Sequence, residues 1–207
     1  MLYVFENIDL LDDNFLDSKR SFLSEERLAK IQRLRSVDNK KASAVVYLLL
    51  RLALLNVYDL NEVVEFSYKE NGKPALKDFP HIFFNLSHSF NTAACVVADV
   101  EVGVDVQRIS SVKDKVAKRV LTDVEFAAFK SSTNPDEFFN EIWTIKESYL
   151  KRSGQGIAAD LRMISADAVN DKMIYKRKDY FCCVCGSGLK KINIKHIGRE
   201  DFEYLGK

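Results

Sequence analysis

The chain of 207 residues predicts an α+β protein whose pattern is written twice, helices then strands followed by helices then strands. Three observations carry this. Helix-start signals and helical recurrence of apolar residues cluster between Ser24 and Val57 and again between Thr122 and Arg152. Residues of alternating polarity occupy Val64 to Ile109 and Met173 to Ile197, and the turns joining these strands are too short for parallel crossovers. With 47% hydrophobic and 29% charged residues and no low-complexity tract, the composition supports a packed core.

Ser24, followed by Glu25 and Glu26, opens the first helix with acids at its positive dipole end, and Leu28, Ile31 and Leu34 recur at helical spacing. A second helix runs from about Asp38 to Val57. Its apolar stretch from Ala42 is interrupted by Arg51 and is shorter than the roughly 20 residues a bilayer span needs, so it reads as a buried helix. Val64, Phe66 and Tyr68 then alternate with polar residues up to the turn Asn71-Gly72. Short strands follow at Ile82–Leu86, Ala93–Ala98 and Val102–Ile109. Thr122-Asp-Val-Glu125 is a capping box, and Asn134-Pro135 supplies a cap and a first-turn proline for a helix reaching about Arg152 and stopping at Gly154. Strands at Met173–Lys178, Tyr180–Cys185 and Leu189–Ile197 close the chain. The halves divide at 1–100 and 101–207.

Lys plus Arg total 31 against 30 acids, so the field of the whole molecule favours neither nucleic acid nor an anionic membrane, and neither is expected as a partner. The N-terminus shows no basic region ahead of an apolar run and no cleavage site, which places the expectation in the cytoplasm. Cys182 and Cys183 point to opposite faces of a strand, so they do not share a zinc ion; with Cys95 and Cys185 they read as core residues.

Three segments offer chemistry. In Val102–Ile109 the valines share one face, leaving Gly103, Asp105 and Gln107 on the other. Asp105 and Gln107, with Cα atoms roughly 6–7 Å apart, both reach one hard cation. The bland alternative is a solvated acid, and Gly103 argues slightly against it by leaving room for a ligand. On the last long helix Trp143, Glu147 and Lys151 follow one another at i, i+4 spacing, flanked by Lys146. They form either a Glu147–Lys151 surface ion pair or a metal-holding, proton-accepting carboxylate with a phosphate-binding lysine. Asn85-Leu-Ser-His-Ser89 ends a strand where hydroxyls, an imidazole and backbone N–H groups suit a phosphate; no nucleophile elbow is present, and a serine hydrolase is a poor explanation.

Taken together, Asn71-Gly-Lys-Pro74, Phe84-Asn-Leu-Ser-His-Ser89, Gly103-Val-Asp-Val-Gln107, Trp143-Thr-Ile-Lys-Glu-Ser-Tyr-Leu-Lys151 and Gly154-Gln-Gly156, in this order, closely resemble the 4′-phosphopantetheinyl transferases of the larger type that activates peptide and polyketide synthetases. The resemblance extends at lower density from about Ser24 to the last strands. It implies two similar halves, each a small antiparallel sheet with packed helices, related by a pseudo-twofold, with coenzyme A and magnesium in the cleft between them. The N-terminal half would then be the nucleotide side and the C-terminal half would carry the metal and the catalytic helix. By motif position, the resemblance assigns Asp105, Gln107 and Glu147 to the metal, Glu147 and Lys151 to catalysis, and Lys151 to the pyrophosphate. It assigns Lys73, Ser87 and His88 to the nucleotide end, with help from Arg27, Lys30 and Lys41. Gln107 departs from the glutamate common in the family and removes one negative charge from the site.

The implied reaction moves the phosphopantetheine arm of coenzyme A onto a serine of an acyl or peptidyl carrier protein and releases adenosine 3′,5′-bisphosphate. Glu147 would act as the base or orient a water that does. The carrier would dock on Lys113, Lys115, Lys118 and Arg119, for which a solvated helix face is the alternative reading. The resemblance further implies a monomer. Two rivals remain: a binding module for coenzyme A or carrier with impaired catalysis, and a magnesium phosphohydrolase.

Overall fold

The computed structural model describes residues 1–156 and 160–205. Local sequence accounts for most helix ends. The Ser24 hydroxyl accepts the Arg27 N–H and opens α2 (Glu25–Arg33), after a short α1 (Asp13–Ser18) capped by Asp12. Ser36 caps α3 (Val37–Tyr58), which ends on Asp59 in the left-handed region. Following α4 (Asp114–Val120), both bonds of the Thr122/Glu125 capping box open α5 (Asp123–Ser131). The last helix, α6 (Pro135–Ser153), stops where Gly154 takes φ 74°. Asn134 makes no side-chain cap; its amide bonds instead to the Glu137 carboxylate.

Among the described residues nine strands form three sheets. β1 (Leu2–Phe5), β4 (Phe83–Ser89), β5 (Thr92–Ala98) and β9 (Ile194–Ile197) make one of four strands in the order β4-β5-β1-β9. β2 (Phe66–Tyr68) and β3 (Pro74–Leu76) form a small hairpin around the Asn71-Gly72 turn. β6 (Val102–Arg108), β7 (Lys172–Lys176) and β8 (Tyr180–Gly186) pair antiparallel in the order β6-β8-β7.

Two expectations are corrected. The first sheet is mixed rather than antiparallel, because β9 lies parallel to β1, Leu2 opposite Ile194. β9 and the 3-10 turn Arg199–Tyr204 belong to the N-terminal core, with Phe202 and Leu205 buried beside Phe5 and Phe15, so a cut at residue 100 does not separate the packing units. The other surprise is β1, which lies between two strands and is buried on both faces, so its Leu-Tyr-Val-Phe run carries no alternation.

The layers run α3, sheet, sheet, α6. Tyr3, Phe5, Cys95 and Val97 pack on α3, while Leu2, Val4, Ala94 and Val96 on the opposite face meet Val102, Val104, Val106 and Cys182 of the second sheet. Cys183 and Cys185 face the other way, towards α6. All four cysteines are free and buried, as the alternation predicts. α3 is apolar and long enough to cross a membrane by length and composition, yet 72% of its most apolar window is buried inside the protein; it is the core helix.

Candidate active site

The site forms where β6, the edge strand of one large sheet, lies against β4, the edge strand of the other. β4 and β6 are not joined by backbone hydrogen bonds. Alternate side chains of β4 accept the β6 N–H groups that β8 leaves free: Val104 N–H donates to Asn85 Oδ1 (2.9 Å), Val106 N–H to Ser87 Oγ (3.2 Å) and Arg108 N–H to Ser89 Oγ (3.0 Å). Small polar residues at every second position of Asn85–Ser89 therefore do structural work, and Asn85 and Ser87 also line a neighbouring cleft. His88, which alternates to the other side, faces the neighbouring cleft.

This ladder sets Asp105 against α6. The Ser87 hydroxyl donates to Asp105 Oδ1 (2.9 Å), and Lys151 Nζ donates to the same oxygen (2.6 Å) and to Ser87 Oγ (2.9 Å). Asp105 Oδ2 is buried without a hydrogen-bond partner. Burial pushes the Asp105 carboxyl pKa up, against Lys151, Ser87 and the Val106 N–H. Glu147, one helical turn before Lys151, is also pushed up, first by burial and then by the Asp105 charge, with Lys151 opposing. The pairing is thus Lys151–Asp105 across elements rather than Glu147–Lys151 along the helix. Gln107 lies further out on β6, partly exposed, with its amide turned to the Arg108 carbonyl.

Among the described residues no three His, Cys, Asp or Glu side chains converge as a metal cluster. What lies together is two carboxylates, Asp105 with an orphaned oxygen and Glu147 whose pKa burial and then the Asp105 charge raise, while Gln107 shares the strand face of Asp105 with its amide turned to the Arg108 carbonyl. All of these are oxygen donors, and the set fits a hard divalent cation whose remaining ligands come from elsewhere. Gly103 does not leave room for a ligand. A Cβ there would lie 2.2 Å from the Ser148 carbonyl oxygen and 2.3 Å from Arg152 N, so glycine is required because the α6 backbone rests directly on β6.

Beside the carboxylates opens a cleft of about 430 Å³ lined by Arg27, Lys30, His88 and Lys151, with no carboxylate in its wall. Ser87 and Asn85 form its floor with the ladder. Arg27 is buried, bonded to Ser43 Oγ (3.3 Å) and stacked near Tyr47 and Phe66; burial holds its pKa down. Lys30 is lowered by burial and then by Arg27, and His88 by burial, then by Lys151 and Lys30. Arg27, Lys30 and Lys151 thus bring three cationic groups to one cleft beside the His88 imidazole. Asp105 is paired to Lys151 and Glu26 acts on Arg27 and Lys30, and the excess of positive charge suits a polyanion.

Lys73 and Lys41 do not line this cleft, though Lys73 lines an adjoining pocket with Glu147 and Lys151. The Lys73 ammonium is saturated by Glu101 Oε2 (2.6 Å), the Arg152 carbonyl (2.7 Å) and the Val102 carbonyl (3.1 Å), which makes it a buried clamp between β6 and the end of α6. Lys41 donates to the Leu11 carbonyl (3.0 Å) and lines a separate cavity that touches the cleft at His88. Lys146 is likewise structural, fully buried on Glu125, Val120 and Leu161. Trp143 packs with Phe139 in the C-terminal core. Lys113, Lys115, Lys118 and Arg119 are all exposed on or beside α4.

Residues 101–196, which carry Asp105, Glu147 and Lys151, match the model of the 4′-phosphopantetheinyl transferase superfamily. The chain is 33% identical over 168 residues to the 4′-phosphopantetheinyl transferase gsp of Aneurinibacillus migulanus, covering 79% of this chain and 69% of that one. The chain belongs to the 4′-phosphopantetheinyl transferase family. A second member, Sfp of Bacillus subtilis, is 27% identical over 157 residues, covering 74% of this transferase and 70% of its own length. The HetI transferase of Nostoc reaches 40% identity over 105 residues, 46% of this chain and 44% of its own. A solved holo-[acyl-carrier-protein] synthase of Thermotoga maritima aligns over 42% of this chain and 62% of its own at 18% identity and TM-score 0.31, too low to bear on the fold. As a phosphopantetheinyl transferase the protein is an enzyme.

Proposed function

We propose that this transferase moves the 4′-phosphopantetheine arm of coenzyme A onto a serine hydroxyl of an apo acyl or peptidyl carrier protein and releases adenosine 3′,5′-bisphosphate. The observation that carries the reading is the junction of the carboxylates Asp105, with its orphaned oxygen, and Glu147 with a cleft lined by Arg27, Lys30, His88 and Lys151. Coenzyme A has the matching chemistry: a pyrophosphate to lie beside the carboxylates and a 3′-phosphate for the basic wall. Arg27, Lys30 and His88 hold the nucleotide end, and Lys151 turns from Asp105 towards the pyrophosphate. Asp105, Glu147 and, directly or through water, Gln107 hold magnesium, which when bound offsets negative charge on the phosphate oxygens.

The carrier serine oxygen forms a bond to the phosphorus attached to pantetheine while the bond from that phosphorus to the bisphosphate oxygen breaks. The serine proton passes to Glu147, directly or through a water that it orients. Lys151 neutralises charge on the leaving group. The exposed Lys113, Lys115, Lys118 and Arg119 beside the metal strand receive the acidic carrier. The protein works as a cytoplasmic monomer of two similar halves related by a pseudo-twofold.

Intact-protein mass spectrometry of several apo carriers incubated with the transferase, coenzyme A and magnesium tests the reading. It requires a phosphopantetheine increment that EDTA abolishes. Gln107 favours one second reading, a coenzyme A-binding module of impaired activity; coenzyme A bound without any increment would decide for it.

A further inference from the structure

Among the described residues three non-glycine residues take a left-handed φ: Asn7, Asp59 and Phe90. Asn and Asp adopt this region readily, whereas a phenylalanine there is strained. Phe90 is the first central residue of the two-residue turn joining β4 and β5, with Ser89 opposite Thr92, a position that glycine would fill more easily. Its ring is 71% exposed, so no burial in a core compensates the strain.

The turn is nevertheless fixed on both sides. The Asn91 side chain accepts the Asp9 N–H (2.7 Å) and donates to the Asp9 carboxylate (2.6 Å), and its carbonyl accepts the Ile8 N–H (3.1 Å). The Arg108 guanidinium lies 3.9 Å from the Phe90 ring centroid, and the Arg108 N–H is held by Ser89 in the last rung of the ladder. The result is a rigid aromatic plate in solvent, backed by a cation that faces a ring rather than a carboxylate. Strain kept at an exposed position that the surrounding bonds over-determine points to recognition.

Its place says what is recognised. Arg108 follows Gln107 directly on the strand that carries Asp105, and that strand leads into the basic segment Lys113–Arg119. Phe90 also edges a cavity of about 320 Å³ that meets the nucleotide cleft at His88. Along the chain Arg108 therefore stands between Asp105 and the basic segment, and Phe90 on its guanidinium edges a cavity that adjoins the cleft.

We propose that Phe90 and Arg108 form a two-part docking anchor for the carrier protein, the ring taking an apolar side chain near the acceptor serine and the guanidinium an adjacent carboxylate. The proposal rests on the transfer reading above and names its specificity-determining contact.

Phe90→Gly and Arg108→Ala separate this from a structural role. Phe90→Gly should melt at or above the wild-type temperature, since the left-handed φ is relaxed. Both variants should bind coenzyme A with unchanged Kd by calorimetry and raise the carrier KM about tenfold, the scale of an interface hot spot. A carrier KM within about twofold of wild type overturns the anchor, as does a weakened coenzyme A Kd with unchanged carrier KM, which would assign the plate to the nucleotide. Should the wild-type protein transfer nothing, the transfer reading fails by itself; carrier affinity of wild type and variants by fluorescence titration then decides the anchor on the same criterion.

Discussion

Asp105 has one oxygen bonded twice and the other buried with no partner. Such a side chain destabilises the free protein and is retained where a ligand completes it. Gln107 lowers the negative charge available beside it, and Gln107→Glu restores that charge. The magnesium concentration for half-maximal transfer should fall on the order of tenfold in this variant, because affinity at oxygen sites follows ligand charge. A magnesium titration of the transfer rate checks it, and an unchanged midpoint would mean that residue 107 does not contribute to the metal. The acids and Lys151 were legible because their residue types and spacing are chemically particular. The bonds that Lys73 and Ser87 make within the protein were not. The Lys73 ammonium bonds to two carbonyls and Glu101, and the Ser87 hydroxyl, which also lines the cleft, bridges Asp105, Lys151 and the Val106 N–H.

At the scale of elements, β6 and α6 act as one unit. Gly103 allows the helix backbone to touch the strand, and this contact puts Glu147 and Lys151 beside Asp105. Gly103→Ala would place a methyl against the backbone of Ser148 and Arg152, which no side-chain rotation relieves. Urea denaturation should show a loss of about 1–3 kcal/mol, with transfer activity falling further than stability because the helix moves off the strand. Wild-type stability in this variant would refute the close contact. The helices were read from local signals, namely Ser24, the Thr122/Glu125 box and Gly154, since caps are satisfied within a few residues. β1 was not read, because a strand covered on both faces loses its period-two pattern. The β4–β6 seam was present in the sequence as polar residues at 85, 87 and 89, but alternation alone does not say whether such a face meets solvent, phosphate or another strand.

Across the whole molecule the last residues return to the first. β9 adds to the edge of β1, and Phe202 is fully buried edge-to-face against Phe5 (5.3 Å) and Phe15 (5.9 Å). Phe202→Ala should cost about 3–5 kcal/mol by urea denaturation, as large truncations in a closed core do. A loss of less than about 1 kcal/mol would show that this end is dispensable to the core. Net charge behaves in the same non-local way: the chain is almost neutral, yet four basic side chains and no acid line one cleft. The sequence alone determined the α+β class, the starts of α2 and α5, the end of α6 and the buried character of the cysteines, and it singled out Asp105, Glu147 and Lys151 as candidates, because each is encoded by neighbours in the chain or by a dense motif. Only the tertiary structure decided the mixed first sheet, the return of the C-terminus, the clamp role of Lys73 and the pairing of Lys151 with Asp105. Those depend on which donors and acceptors distant segments leave unpaired, and that is settled when the two sheets and α6 close on one another.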